Sequence, residues 1–523
     1  MKKFVFSIVI FVFAFPHVVA AEIPLDSKVN EGSESATDSP FDKQAFIASA
    51  AEKRILKIGL VDCIAFALKN NSEIKIKRIE PKIKTDDVKI AQSGFEPTLK
   101  LDAAYADNRS QSSSSTLFSP AVSTSTAVEF NAGLEGKWIT GTQYDIDFKN
   151  TKYKSNASFQ IINPYYQSEA VLTLTQPLLK GAGILVNRAD IIIAQNNKVN
   201  SLEDFKEETM IVVSTTKKAY YNYIYYIRRH DIAGILLDWT RQLLDITKTR
   251  HDKGLASSVD LLEIESAVAQ REKELIALES NLKKSEDELK VVTNLVDDPE
   301  LWNTEIVPID QPQLSLQEIT LVESLENAFR YRPDYIKKKV DLESKDIRIK
   351  VAKNKLYPAI DLVGSLGLNG LAGTYRQALD HVNDTDFRDW GVGIAITIPW
   401  GSGDRADLDK KKLEKMQALF SLKRFEQNII LDVRDKLRAV DIQYRQVQAA
   451  QLVEEKERKH YAAQEKRYTA GHLSTHDLLD YRFRLSLAEV EYLKALIDYK
   501  VALIDLDKAQ GLTLVKNDIQ LEE

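Results

Sequence analysis

The sequence predicts a mainly α-helical chain with β-strands, written as a tandem duplication in which each copy reads helix, strands, long helix, turn and return helix. Three observations carry this. Two separate blocks of residues recur in the same order, the segments between the helices alternate in period two, and the stretches Arg188–Arg250 and Arg405–Tyr468 contain no proline.

The N-terminus comes first. Met1, Lys2 and Lys3 precede an apolar run from Phe4 to Phe15, followed by small residues at Ala20 and Ala21. This is the pattern of a secretory signal peptide, residues 1–21, cleaved after Ala20 or Ala21. The run is shorter than the roughly 18 to 20 residues that a spanning helix needs. Residues 22–54 are rich in Ser, Glu and Asp, carry little hydrophobic periodicity, and read as a flexible leader. In the whole chain 523 residues, 44% of them hydrophobic, allow several domains' worth of core, and a net charge of -6 gives no reason to expect nucleic acid as a partner. A single cysteine, Cys63, excludes an intramolecular disulfide. No later segment approaches a spanning apolar helix, so membrane insertion requires strands closed into a barrel.

The duplication divides the rest into a first repeat, 55–312, and a second, 313–523. Leu60-Val61-Asp62 through Ala67, Asn71 and Glu73 matches Leu321-Val322-Glu323 through Ala328, Arg332 and Asp334, without a gap to Pro97 and Pro358. Arg250, Gly254, Ser257, Asp260 and Glu263 recur as Arg467, Gly471, Ser474, Asp477 and Asp480. Each repeat opens with a helix, Ile58–Ser93 or Leu321–Asn354, with Pro81 a kink candidate in the first. Each changes character at Pro97 or Pro358.

Strands follow over 98–176 and 359–399. Their apolar residues alternate: Leu99, Leu101, Ala103 and Tyr105; Tyr144, Ile146 and Phe148; Ile394, Ile396 and Ile398. Polar stretches at Ser110–Thr126, Asn369–Gly373 and Asn383–Asp386 read as loops, and Thr140-Gly141-Thr142 as a tight turn. Such an arrangement suits an outer-membrane barrel; a small soluble sheet packed on the helices is the competing reading. The section from Pro97 to Pro177 is nearly twice as long as its equivalent from Pro358 to Pro399. It holds four strands, Thr98–Asp107, Val128–Trp138, Gln143–Tyr153 and Glu169–Gln176, and the extra pair either extends an external hairpin or widens a barrel.

Helical hairpins complete each repeat, over 188–295 and 405–512. Their return helices carry heptad seams. The first is Leu261, Ile264, Val268, Leu275, Leu278, Leu282, Leu289, Val292 and Val296, broken at Arg271 and Ser285; the second alternates large residues with alanine, as in Leu485, Ala488, Tyr492 and Ala495.

This order resembles the TolC-like outer-membrane efflux proteins over essentially the whole chain after the signal. The local matches are Ala67-Leu-Lys-Asn-Asn71, Gly94-Phe95-Glu96-Pro97, Thr175-Gln176-Pro177-Leu-Leu-Lys-Gly181-Ala-Gly183 and the two Arg-x-x-x-Gly-x-x-Ser turns. The resemblance implies a homotrimer whose strands pool into one β-barrel in outer-membrane lipid of a Gram-negative cell, continuous with an α-helical barrel in the periplasm. It also implies passive export of substrate from an inner-membrane transporter through a periplasmic adaptor. A few strands alone have open edges that no bilayer tolerates. A periplasmic coiled-coil adaptor or structural protein without a pore is the alternative.

On the same grounds Gly254, Leu255 and Ser257, with Gly471, Leu473 and Ser474, form the adaptor-docking tip. Glycine as a left-handed helix terminus and serine as a cap account for them equally well. Asp477 and Asp480, three apart and so on one helical face, would line the periplasmic entrance, which Tyr468 helps hold closed. Asp260 and Glu263 are the weaker equivalents. His472 and His476 are four apart but lack a third ligand, so no metal is assigned. Gly181-Ala-Gly183 and Gly401-Ser-Gly403 have no lysine at phosphate-loop spacing. No catalytic motif and no cofactor site is recognised.

Overall fold

The computed structural model describes residues 55–111, 122–158, 160–295, 302, 304–315, 318–384 and 387–521. The expected signal peptide and leader, the middle of the Ser110–Thr126 stretch, and Val296 lie outside them.

Element order follows the chain. A short strand β1 (Ile55–Ile58) leads into α1 (Leu60–Asn70) and α2 (Ser72–Ser93), then β2 (Thr98–Gln111), β3 (Val122–Lys137), β4 (Gln143–Ser155) and β5 (Tyr165–Pro177). One turn of helix, α3 (Ile184–Asn187), precedes α4 (Ala189–Asp252), and α5 (Ser258–Val292) returns to β6 (Glu305–Pro308). Next come α6 (Leu321–Tyr331), α7 (Pro333–Lys355), β7 (Ala359–Ala372), α8 (Tyr375–Asp384) and β8 (Arg388–Thr397). The last hairpin is α9 (Gly403–Thr469) with α10 (Thr475–Ala509). These form two compact units, a strand unit of Asp86–Gln195 with Ser344–Lys415, and a helical unit that includes Asn196–Glu343 and Met416 onward.

Asn71, not Pro81, breaks the first helical segment. Its backbone leaves the helical region (φ −59°, ψ 126°), and its Oδ1 accepts hydrogen bonds from the amides of Glu73 at 2.9 Å and Ile74 at 3.2 Å. The side chain thus starts a new helix, which runs on through Pro81. In the second copy the expected single helix breaks at the equivalent Arg332. A residue before proline is pushed toward extended backbone, and Pro333 suits the first helical position.

The helical unit keeps a clasp that the periodicity did not indicate. β1 and β6 pair in parallel, Ile55 opposite Glu305 through Ile58 opposite Pro308. Ile58 and Ile306 are buried with Tyr220, Tyr223 and Leu289. Tyr220 Oη donates to Asp310 at 2.9 Å and Tyr223 Oη to the Ile306 carbonyl at 2.6 Å, so these buried phenols are satisfied. The seams of α5 and α10 are buried or half-buried throughout the described residues. Arg271, which interrupts the first seam, sets its guanidinium over the Phe483 ring, 4.3 Å from the ring centroid.

The strand unit is one antiparallel six-stranded sheet in the order β2-β3-β4-β5-β7-β8. Its strands outrun the alternation read from sequence: Asn108–Gln111 pair with Ser125–Val122, where both faces are polar and no period shows. The stretch from Asn369, expected as a loop, is strand to Ala372, with Asn369 opposite Glu169. Helix α8 was not foreseen at all. It packs on β5 and β7 through buried Ala378 and Val382. It sits so close that a Cβ at Gly370 would stand 1.9 Å from the Ala378 carbonyl oxygen.

Candidate functional site

Side chains opposite one another in an antiparallel ladder share a face. Followed across the sheet, that rule gives one face that is apolar toward the tight-turn end, with Asn150, Lys152 and Ser168 farther along it, and a second face that is mainly polar. Leu99, Leu101, Ala103 and Tyr105 of β2 face Leu134, Ala132, Phe130 and Val128 of β3. The same face continues through Ile146 and Phe148, then Leu172 and Ala170, then Leu366 and Leu368. It ends on Trp390, Val392, Ile394 and Ile396. Most of these side chains are open to solvent in the single chain, Trp390 at 76% and Ile394 at 64%. So broad an exposed apolar surface is a lipid or partner face, not an ordinary soluble one. At the tight-turn end Trp138 and Tyr144 lie 5.4 Å apart, the aromatic pairing expected at a membrane boundary.

The opposite face is charged. Lys100 and Asp102 stand beside Asn131 and Glu135, which adjoin Asp145, Asp147 and Lys149. Lys100 pairs with Glu135 at 2.5 Å and Lys149 with Asp147 at 3.2 Å. No helix among the described residues is long and apolar enough to cross a membrane. Apolar on one face and ionic on the other, the sheet has the pattern of a barrel wall around water.

In the helical unit the two hairpin tips have one geometry, because the Arg, Gly, Ser and Asp that build the turn recur at the same spacing. Gly254 and Gly471 take φ of 69° and 80°, a left-handed conformation that only glycine adopts without cost. The following amides donate back, Leu255 N to Arg250 O at 2.7 Å and His472 N to Arg467 O at 2.9 Å, closing each helix end. Ser257 Oγ accepts from Asp260 N and Ser474 Oγ from Asp477 N, both at 3.1 Å. Asp260 completes a capping box, and the Ser257 amide that donates to it at 2.9 Å holds its carboxyl below the usual range.

The two leucines differ. Leu255 is 68% exposed, whereas Leu473 is half-buried in a cluster with Leu243, Ile264 and Leu478. Asp477 Oδ2 accepts from Ser474 Oγ at 2.6 Å, and Asp480 pairs with Arg484 at 2.7 Å. Within one chain each carboxylate therefore has its own local partner. Tyr468 ties the hairpins together: Arg250 Nη1 donates to its Oη at 3.4 Å, and the guanidinium lies 5.9 Å from its ring.

A second cross-hairpin tie was missed in the sequence. His476, considered there only as a metal ligand, sets its Nδ1 against the carboxylate of Glu263, while His472 is not part of the contact. That hydrogen bond, with smaller contributions from the charges of Glu263, Asp477 and Asp480, raises the His476 pKa. A raised histidine keeps such a tie fully below its ordinary pKa and loses it as pH rises through the elevated value. Modification of His476 by diethyl pyrocarbonate, followed by mass spectrometry against pH, should show an inflection above the ordinary histidine value. Glu263→Gln should return it to that value; identical curves would remove the tie.

A family model described as outer membrane efflux protein matches residues 145–295 and 325–512. Nodulation protein T of Rhizobium leguminosarum bv. trifolii is 26% identical over 53% of this chain and 57% of its own length. Outer membrane protein OprJ of Pseudomonas aeruginosa is 24% identical over 60% of this chain and 63% of its own. The matched regions thus span about three fifths of these curated relatives. Among solved structures, the CmeC outer membrane channel of Campylobacter jejuni superposes with a TM-score of 0.62 at 18% identity, covering 87% of this chain and 86% of that one. The open-state MtrE outer membrane channel of Neisseria gonorrhoeae gives 0.61 at 18%, covering 87% and 89%.

Proposed function

Because the chain belongs to the outer membrane efflux protein family, whose members are outer-membrane channels, we propose that it is the exit duct of a tripartite efflux or type I secretion system. Three copies pool their sheets into one barrel in the outer membrane. Their helical hairpins form a tube in the periplasm, and substrate from an inner-membrane transporter passes through it by way of an adaptor docked at the tips. The duct itself performs no chemistry.

The observation that carries this reading is the sheet with one largely apolar face, continuous from β2 to β8, and one mainly polar and ionic face. A soluble adaptor or coiled-coil scaffold has no use for so much exposed aliphatic surface, which would make it aggregate in water. Fractionation with heat-modifiable gel analysis tests the class. An outer-membrane trimer is expected; a soluble monomer from the periplasm overturns the reading.

The hairpin tips define the entrance. Threefold symmetry gathers six carboxylates from Asp477 and Asp480, enough to hold multivalent cations in the bore. The double variant Asp477→Ala/Asp480→Ala is expected to weaken block by such cations in single-channel recordings while leaving the trimer intact. Unchanged block would take both residues out of the entrance.

A further inference from the structure

The longer first copy carries two strands that the second lacks, and the sheet shows where they are. β2 lies in the same register after Pro97 as β7 after Pro358, and β5 ends at Pro177 as β8 ends before Pro399. The added strands are therefore β3 and β4. They neither stack on the sheet nor project from its end. β3 pairs with β2 from Thr98↔Glu135 to Gln111↔Val122, and β4 pairs with β5 from Gln143↔Thr175 to Tyr153↔Tyr165. The hairpin is spliced between two strands that would otherwise be neighbours.

Its side chains fit that place. Phe130, Leu134, Ile146 and Phe148 continue the apolar face, and Glu135 and Asp147 the ionic one. An external hairpin surrounded by water would gain nothing from an apolar face in step with its neighbours. Inserting a pair also preserves strand direction. In an antiparallel order of six the first and last strands run oppositely, so the open edge of β8 can pair antiparallel with β2 of a second copy. Every residue of β2, and all of β8 but Gly391, is exposed in the single chain.

We infer that β3 and β4 are built into the barrel wall, so that edge-to-edge pairing of β8 with β2 of the next copy closes eighteen strands around a bore wider than four strands per chain could enclose. The inference rests on the trimeric barrel proposed above. Barrel diameter grows roughly linearly with strand number, so the bore is about half as wide again as that of a twelve-stranded barrel. A wall of eighteen strands leaves an aqueous channel rather than an interior filled by side chains. The exit is thereby sized for cargo bulkier than a twelve-stranded barrel would pass.

The test uses the full-length protein in outer-membrane vesicles, in a Cys63→Ser background, with nitroxide labels at Phe148→Cys in the added hairpin and Ile394→Cys in β8. Both labels should collide with oxygen and lose collision with a water-soluble nickel chelate, while one at Asp147→Cys should meet the chelate. A Phe148 label open to the chelate beside an Ile394 label that is shielded overturns the wall placement and leaves the barrel reading intact. Chelate access at both positions removes the barrel reading itself. Electron cryomicroscopy of the trimer counts the wall directly: eighteen strands support the inference, and twelve with hairpins outside the wall refute it.

Discussion

Ile394→Arg should remove the trimer from the outer membrane, whereas Ala395→Arg, one residue along, should leave it there. Ile394 lies at the middle of the β8 apolar run, opposite Leu362 and 64% exposed. A guanidinium at that depth costs about 2 to 4 kcal/mol in a membrane barrel. Threefold symmetry repeats the cost in every copy, and the sum is comparable to the whole stability of an ordinary domain. Ala395 sits on the other face opposite Asp361, where a new cation meets water and a carboxylate. Outer-membrane fractions run unheated on a gel separate the two outcomes. Equal trimer yields would mean that this face does not touch lipid.

A comparable loss is expected at the hairpin tips, without loss of assembly. Leu255→Glu should abolish crosslinking of the periplasmic adaptor while trimers persist. Leu255 follows the left-handed Gly254 and is largely open to solvent, so its replacement breaks no packing in the chain. The leucine of the second tip, which stands one place later than Leu255 in the turn, behaves differently. Leu473 packs with Leu243, Ile264 and Leu478, so Leu473→Glu should cost adaptor binding and loosen the tip as well. Site-directed crosslinking with parallel limited proteolysis reads both effects. Wild-type crosslinking by Leu255→Glu would leave the turn with only its capping role.

How far the sequence could be read depended on the range of the interaction. Arg250, Gly254 and Ser257 specify their turn through hydrogen bonds to residues within five positions, and repetition at Arg467, Gly471 and Ser474 doubles the signal. Alternation placed the sheet, because the apolar residues of each strand recur on one face. It failed at Asn108–Gln111, where both faces are polar. The clasp of β1 with β6 was invisible for a different reason: four residues, Ile55–Ile58, give too short a run to show a period, and their partner lies 250 residues away. Pro81 misled because proline within a helix is usually the stronger break, yet Asn71 supplied acceptors for two amides. At the tips, Tyr468 was legible and its partner Arg250 was not, since nothing local records which side chains of separate hairpins will meet. His476 was noticed as a ligand type, but its real partner, Glu263, lies in the other repeat.

The clasp also bears on how such a chain could have arisen. β1 stands at the head of the first repeat and β6 at its tail, so their pairing turns that repeat into a closed circuit with both ends held in one core of Ile58, Tyr220 and Ile306. A single ancestral unit bounded this way would need no second copy to anchor its termini. Duplication could then append another unit after Pro308 without unfastening the first.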